Sequence, residues 1–349
     1  MPISFKLEDY DYYLPDHLIA KYPPDERGAS RLMVFNRTDR SITHGQFSGL
    51  ADHLRPGDCL VLNDTRVFPA RIKARKDTGG AVEFLLLHFP IIHADGRARA
   101  RALSRSSKPI RPGFRVNCSG ILDISILEIL PDNQVELELI FHGDIETALM
   151  LCGETPLPPY IKRNEEPSDR EDYQTVYARE TGSVAAPTAG LHFTQDQLAD
   201  IRDRGIDIAW VTLHVGYGTF APIRASDIRR HKIHSEWLKT PWDTIGQVIA
   251  TKARGGRVIA VGTTSVRALE AASADGTPRA FEGMCDLYIV PGHRFKMVDA
   301  MVTNFHLPRS SLLVLVSAFT GRAEILRVYD EAVKAGYKFY SYGDAMLIL

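Results

Sequence analysis

Between Pro69 and Phe141 the chain offers no convincing helix, and this constrains its fold more than any other feature. Five β-rich runs (81–89, 97–103, 114–117, 121–130 and 134–141) are separated by the turn sequences Thr78-Gly79-Gly80, Arg111-Pro112-Gly113, Ser119-Gly120 and Pro131-Asp132-Asn133. Short strands at this spacing predict a small β-barrel. Within it Arg97, Arg99 and Arg101 alternate with Ala98, Ala100 and Ala102, so a strand would put all three guanidinium groups on one face.

The flanking segments have a different rhythm. Residues 31–36 and 41–47 read as paired strands, 47–54 as a short helix stopped by Arg55-Pro56-Gly57-Asp58, and 59–63 as a return to a sheet. Beyond Asp144, Thr194 with Gln197 three residues on forms a capping box, and Gly205 ends that helix before a strand at 206–215. Helices at 243–254, 265–272, 310–319 and 322–335 alternate with strands at 257–261, 287–290 and 345–348. This pattern predicts an α/β domain, a mixed sheet with helices on both faces, formed by 1–68 and 150–349 and interrupted by a β-barrel insert at 69–149.

With 349 residues, 44% hydrophobic and 24% charged, the chain is too long for one small module and rich enough in apolar side chains for a folded core. Its longest nearly apolar run, 312–319, is too short to cross a bilayer, and 1–13 lacks the charged and apolar regions of a signal peptide, so a cytoplasmic protein is expected. Cys59, Cys118, Cys152 and Cys285 lie far apart in sequence, which fits buried thiols.

Formal net charge is only −1, but charge is segregated. Seven basic residues (Arg97, Arg99, Arg101, Arg105, Lys108, Arg111 and Arg115) occur without an acid, followed between Asp123 and Glu154 by eight acids without Lys or Arg. Either the basic stretch faces nucleic acid, or the two stretches pair with each other.

Chemistry concentrates in glycine- and hydroxyl-rich loops. Thr263, Thr264 and Arg267 follow a strand and Gly262, where a helix N-terminus suits an anionic group. Small residues from Ser183 to Gly190, with Thr188 among them, let backbone approach a ligand and deliver His192; His214 precedes a second glycine loop, and Asn304 and His306 lie in a third. Such loops leave the C-terminal ends of strands, where α/β sheets bind ligands. Histidine transfers protons near neutral pH, making His192, His214 and His306 candidate acids or bases, with Asp344 of Ser341-Tyr342-Gly343-Asp344 as a further carboxylate. His231, His234 and Glu236 could be read as helix-borne metal ligands, but H-E-x-x-H is missing and no metal site is expected.

These blocks carry a resemblance. Residues 182–193, Leu213-His214-Val215-Gly216 with Gly218-Thr219-Phe220, residues 261–270, Thr303-Asn304-Phe305-His306-Leu307-Pro308 and residues 339–346 look like the S-adenosylmethionine:tRNA ribosyltransferase-isomerases of queuosine biosynthesis. Asn63-Asp64-Thr65-Arg66-Val67 with Pro69-Ala70-Arg71, and Pro156-Leu157-Pro158-Pro159-Tyr160-Ile161, also match, in order along nearly the whole chain. The match is weakest over 102–111, where the family often has a tryptophan and this chain has none; that bears on RNA contacts and not on the reaction.

The resemblance implies transfer and isomerisation of the ribosyl moiety of S-adenosylmethionine onto 7-aminomethyl-7-deazaguanine at the tRNA wobble position, giving epoxyqueuosine, adenine and methionine. It implies an α/β domain interrupted by a β-barrel, and no cofactor beyond the cosubstrate. The expected sites are catalytic His192, His214, His306 and Asp344; substrate-binding Thr188, Gly190, Thr263, Thr264, Arg267, Asn304 and Tyr342; and Arg97, Arg99, Arg101, Arg105 and Lys108 for the tRNA anticodon arm. Tyr217, Phe220 or Tyr342 would face the sulfonium by cation–π contact, and Arg267 the methionyl carboxylate. A monomer without membrane association is expected.

Overall fold

A computed structural model describes residues 3–76, 79–220 and 222–349, apart from the side chain of Phe220. The expectations for Phe220 as a sulfonium contact and for Thr78 in a turn therefore lie outside the described residues.

Strands Cys59–Asn63, Val258–Val261, Ala300–Asn304 and Ala345–Ile348 are buried at every position, because helices or turns cover both faces of the sheet they form. Alternation sorts their side chains. Leu60, Leu62, Ile259, Val261, Val302 and Leu347 meet Leu50, Leu198 and Ile201 on one face. Cys59, Val61, Val258, Ala260, Met301 and Ile348 meet Ile245, Val248, Val266, Leu269, Val314 and Val328 on the other. Each such Leu or Val, fully buried, contributes about 1.5–3 kcal/mol.

The nine strands run in the order Phe281–Cys285, Glu236–Thr240, Asp207–Leu213, Cys59–Asn63, Val258–Val261, Ala300–Asn304, Ala345–Ile348, Arg31–Phe35 and Ile42–Gln46. Asp207–Leu213, Cys59–Asn63, Val258–Val261 and Ala300–Asn304 are mutually parallel, so their C-terminal ends share one edge. Ala345–Ile348 is antiparallel to Ala300–Asn304, with Ala345 opposite Asn304, and its preceding turn reaches the same edge.

The second sheet is wholly antiparallel: Gly153–Glu154, Arg71–Arg75, Ala81–Leu86, Ala98–Ser106, Gln134–Phe141, Leu122–Ile129 and Arg115–Cys118. It curls around Phe84, Leu137, Ala98, Ala100, Ala102 and Ile124, joined by Ile145 and Leu149 of helix Ile145–Cys152. The arginine–alanine alternation falls as expected, with the three alanines buried and the arginines exposed.

Several elements differ from the sequence expectation for identifiable reasons. No strand forms at 287–290; the strand is Phe281–Cys285, and Arg267 takes the Cys285 and Leu287 carbonyls just where the chain would have continued the ladder. Ala300–Asn304 extends a strand into what reads as a polar loop, because Thr303 and Asn304 are buried by the cavity they line. Glu236 opens strand Glu236–Thr240 and belongs to no helix. The helix expected from Ser265 starts at Gly262, whose φ of +83° turns the strand into the helix within one residue.

Leu137→Ala leaves a void in the second core and should destabilise it by about 2–5 kcal/mol. Earlier loss of amide protection in Ala98–Ser106 and Gln134–Phe141, read by hydrogen exchange, is the expected result.

Candidate active site

At the shared strand edge lies a cavity of ≈ 240 Å³ built from the recognised loops. Ala186 to Ala189 form one wall, Val215 and Thr219 another, Gly262 to Thr264 the floor, and Thr303 to Ser310 a third side. Tyr160, Tyr340 and Ser341 close it. Of the expected substrate-binding and catalytic residues, Thr188, Thr263, Thr264, Asn304 and His306 line this cavity. Helix Gly262–Ala271 presents its first turn there with no side-chain cap.

The histidines separate into distinct environments. His192 is buried behind the cavity: Asn304 Nδ2 donates to its Nε2 (3.1 Å), so Nδ1 carries the proton and donates to Ser30 Oγ (2.7 Å). Asn304 Oδ1 in turn accepts from Thr188 Oγ1, which faces the cavity (3.1 Å). His214 stacks on Trp237 with ring centroids 4.8 Å apart and pairs through Nδ1 with Thr65 Oγ1. Its ring lies so near Gly182 that a Cβ there would sit 2.4 Å from Nε2, so residue 182 needs to be glycine.

His306 lines the cavity itself. Its Nε2 shares a hydrogen bond with Thr303 Oγ1 (2.9 Å), whose direction follows the imidazole tautomer, and Nδ1 has no partner among the described residues. The His306 backbone is fixed on both sides, N–H to Tyr329 Oη and carbonyl from Tyr12 Oη. Burial pushes His306 down to about 3 and, with the Arg27 charge, His192 to about 4; burial likewise takes His214 to about 4.

Other expected residues lie off the cavity wall. The Arg267 guanidinium is buried against the Glu236 carboxylate and donates to the Leu287 carbonyl, while Glu236 also accepts from Gly216 N and Thr219 Oγ1, both 2.8 Å. Arg267 thus borders a smaller chamber behind Thr219. Among the described residues, no group of three or more His, Cys, Asp or Glu is placed to hold a metal. Asp344 accepts from Arg31 N and Lys338 N, both 2.7 Å, bracing the turn that carries Tyr340 and Ser341; burial raises its pKa. Tyr342 donates to Asp169 beyond that turn, Gly190 packs against the Tyr177 hydroxyl, and Tyr217 borders a separate cleft between the second sheet and the 155–165 segment.

Sequence reasoning missed the aromatic wall. Tyr160 and Tyr340 lie against each other at the cavity, centroids 4.1 Å apart and ring planes tilted by 34°, and Tyr160 bonds to Ser341. Tyr340 adopts φ +75°, rare for a bulky residue, and is held by its N–H to the Phe305 carbonyl and by Asn304 on its own carbonyl. Both tyrosines fall in recognised blocks, which was the one available clue.

On the second sheet, Arg97 pairs with Glu138 (3.1 Å) and Arg101 with Glu136 (3.4 Å), while Arg99 stands opposite Glu138 in register. The basic and acidic stretches therefore do meet across adjacent strands. Arg105 lies opposite Glu83 and borders that same cleft beside the 155–165 segment, and Lys108 is exposed.

Fold and site together define a class: an α/β protein with an added antiparallel sheet, whose strand-end cavity is walled by hydroxyl, imidazole and tyrosine groups. Residues 7–348 match the family described as queuosine biosynthesis protein. A relative from Pelobacter propionicus named S-adenosylmethionine:tRNA ribosyltransferase-isomerase is 49% identical over 343 residues, 98% of this chain and 99% of that protein. One of the same name from Aquifex aeolicus is 48% identical over 344 residues, 99% of this chain and 100% of its own. A crystal structure of S-adenosylmethionine tRNA ribosyltransferase from Thermotoga maritima, 34% identical, covers 98% of this chain and 100% of that chain with a TM-score of 0.56. The chain belongs to the S-adenosylmethionine:tRNA ribosyltransferase-isomerase family.

The depressed histidines set a pH dependence. Unfolded histidine titrates near 6.5, so as pH falls from about 7 towards 4 the unfolded chain binds protons that the native state refuses. Stability present in full above that window should be lost across it, by up to about 1.4 kcal/mol per pH unit for each histidine. Urea midpoints measured against pH should show this slope, and His306→Gln should reduce it by about a third.

Proposed function

We propose that this chain transfers the ribosyl moiety of S-adenosylmethionine to the aminomethyl nitrogen of 7-aminomethyl-7-deazaguanine at the tRNA wobble position and isomerises it to epoxyqueuosine. The observation that carries the reading is the convergence of the family's separated sequence blocks on one cavity. The sulfonium acidifies the ribose 5′ carbon, and a base removes a proton there. Electrons shift to expel adenine, which takes up a proton, and the tRNA amine adds before the C–S electron pair leaves with methionine.

The cavity's own residues supply much of this. His306 is the proton acceptor by position, the one histidine among the described residues that lines the cavity. Thr188, Thr263 and Thr264 hydroxyls orient the ribose, and Tyr160 and Tyr340 offer aromatic faces to the sulfonium or adenine. His192, through Asn304, fixes the Thr188 hydroxyl; His214 and Asp344 hold the neighbouring strand ends and turn.

The same reading treats 69–149 as an inserted unit whose Arg97, Arg99, Arg101, Arg105 and Lys108 meet the anticodon-arm backbone. Exposed pairs such as Arg101–Glu136 are worth about 0–1 kcal/mol, so phosphate can compete with the carboxylates. The protein would act as a cytoplasmic monomer. Among its described residues no helix is long and apolar enough to cross a membrane.

Incubation with S-adenosylmethionine and tRNA bearing the deazaguanine should release adenine and methionine; S-adenosylhomocysteine in their place would overturn the reading. His306→Asn should cut turnover about 100-fold with little change in binding, whereas an unchanged kcat would remove His306 as the base. Replacing Arg97, Arg99 and Arg101 by Ala should flatten the log-affinity against log-salt slope for tRNA by about 2, at roughly 0.7 per single-strand phosphate contact. A lowered Tm with the slope retained would instead assign the arginines to Glu136 and Glu138.

A further inference from the structure

The cosubstrate assigned above ends in an α-amino acid whose carboxylate a guanidinium would bind best, and the cavity walls are almost entirely neutral. Among the described residues, no Asp or Glu lines the cavity, and Arg309 is the one Lys or Arg that does. Arg267 cannot be spared for the task without breaking its buried pair with Glu236, and it lies behind Thr219. Arg309 is differently placed. Its side chain is 54% exposed and, among the described residues, pairs only with Asp11, itself 39% exposed, across the rim.

The backbone of Arg309 is unusual as well. Its φ of +56° is a left-handed conformation that a long L side chain adopts only when its surroundings impose it. Here Arg309 N–H donates to the Tyr10 carbonyl (2.9 Å), while Ser310 caps helix Ser311–Thr320 immediately after it. The chain is thus turned at this residue between two fixed points, and the turn delivers the guanidinium to the rim. Such strain gathers at ligand clamps.

We infer that Arg309 is the specificity residue for the amino-acid end of the cosubstrate, its guanidinium binding the methionyl carboxylate at the cavity mouth. The guanidinium presents a planar fork that matches a carboxylate. Its pair with Asp11 is solvent-exposed and worth about 1 kcal/mol at most, so the ligand can share or replace it. Reaction occurs at the ribose, deeper in the cavity, so this contact governs binding and selection and leaves the chemical step alone.

This inference rests on the proposed reaction, and calorimetry with two ligands separates them. S-adenosylmethionine and its decarboxylated analogue would be titrated into the full-length protein, Arg309→Ala and Arg309→Gly, the glycine variant relieving the backbone strain. Wild type should bind S-adenosylmethionine at least about 10-fold more tightly than the analogue, and both variants should lose most of that preference by weakening on S-adenosylmethionine alone. Steady-state assays should show KM for S-adenosylmethionine raised with kcat retained. Equal weakening on both ligands would mean that Arg309 merely holds the loop, and unchanged preference would place the carboxylate elsewhere; either overturns the inference. Failure of wild type to bind either ligand, with tRNA bearing the deazaguanine present as well as absent, would instead overturn the reaction on which it rests.

Discussion

Everything at the site depends on the burial of the central strands from both sides. Cys59–Asn63, Val258–Val261, Ala300–Asn304 and Ala345–Ile348 have no solvent face, so polar side chains can collect only where these strands end. Three of the four run parallel and finish together, and the fourth begins there. The cavity is the result: one edge gathers hydroxyls, imidazole and backbone N–H groups contributed from far-separated parts of the chain.

Burial also sets the electrostatics. A sulfonium cation is poorly served by a wall of charged imidazolium, and desolvation keeps His192 and His306 neutral without a compensating acid beside them. The buried Glu236–Arg267 pair contributes no net charge, yet through Gly216 N and the Thr219 hydroxyl it steadies the loop that brings Thr219 to the cavity wall. Charge is thereby kept structural inside and left available at the rim.

Much of this was legible in the sequence, for physical reasons that vary by element. The antiparallel sheet announced itself through turn residues and through alanines alternating with arginines, since one face is buried and the other wet. The Thr194 capping box marked its helix because its signature is local. Ala300–Asn304 was illegible as a strand because its Thr and Asn are buried by a cavity formed from distant residues. Glu236 was ambiguous for the same reason: its partner Arg267 lies 31 residues away, and a carboxylate beside two histidines looks locally like a ligand set. The recognised blocks identified Thr188, Thr263, Thr264, Asn304 and His306, but spacing could not tell the imidazole at the cavity from the two behind it. Nor could it find Tyr160 and Tyr340, whose ring contact joins residues 180 positions apart in the chain.

The left-handed backbone at Tyr340 sets two demands on one residue against each other. Glycine would adopt φ +75° without strain, recovering on the order of 1 kcal/mol, and would strip the cavity of half its aromatic wall. Tyr340 is buried in the main core, however, and emptying the place of a large aromatic side chain costs about 3–5 kcal/mol, more than the strain it relieves. Packing and the cavity wall therefore ask for the same ring, and a single bulky residue carries its backbone strain because its side chain is anchored on both counts.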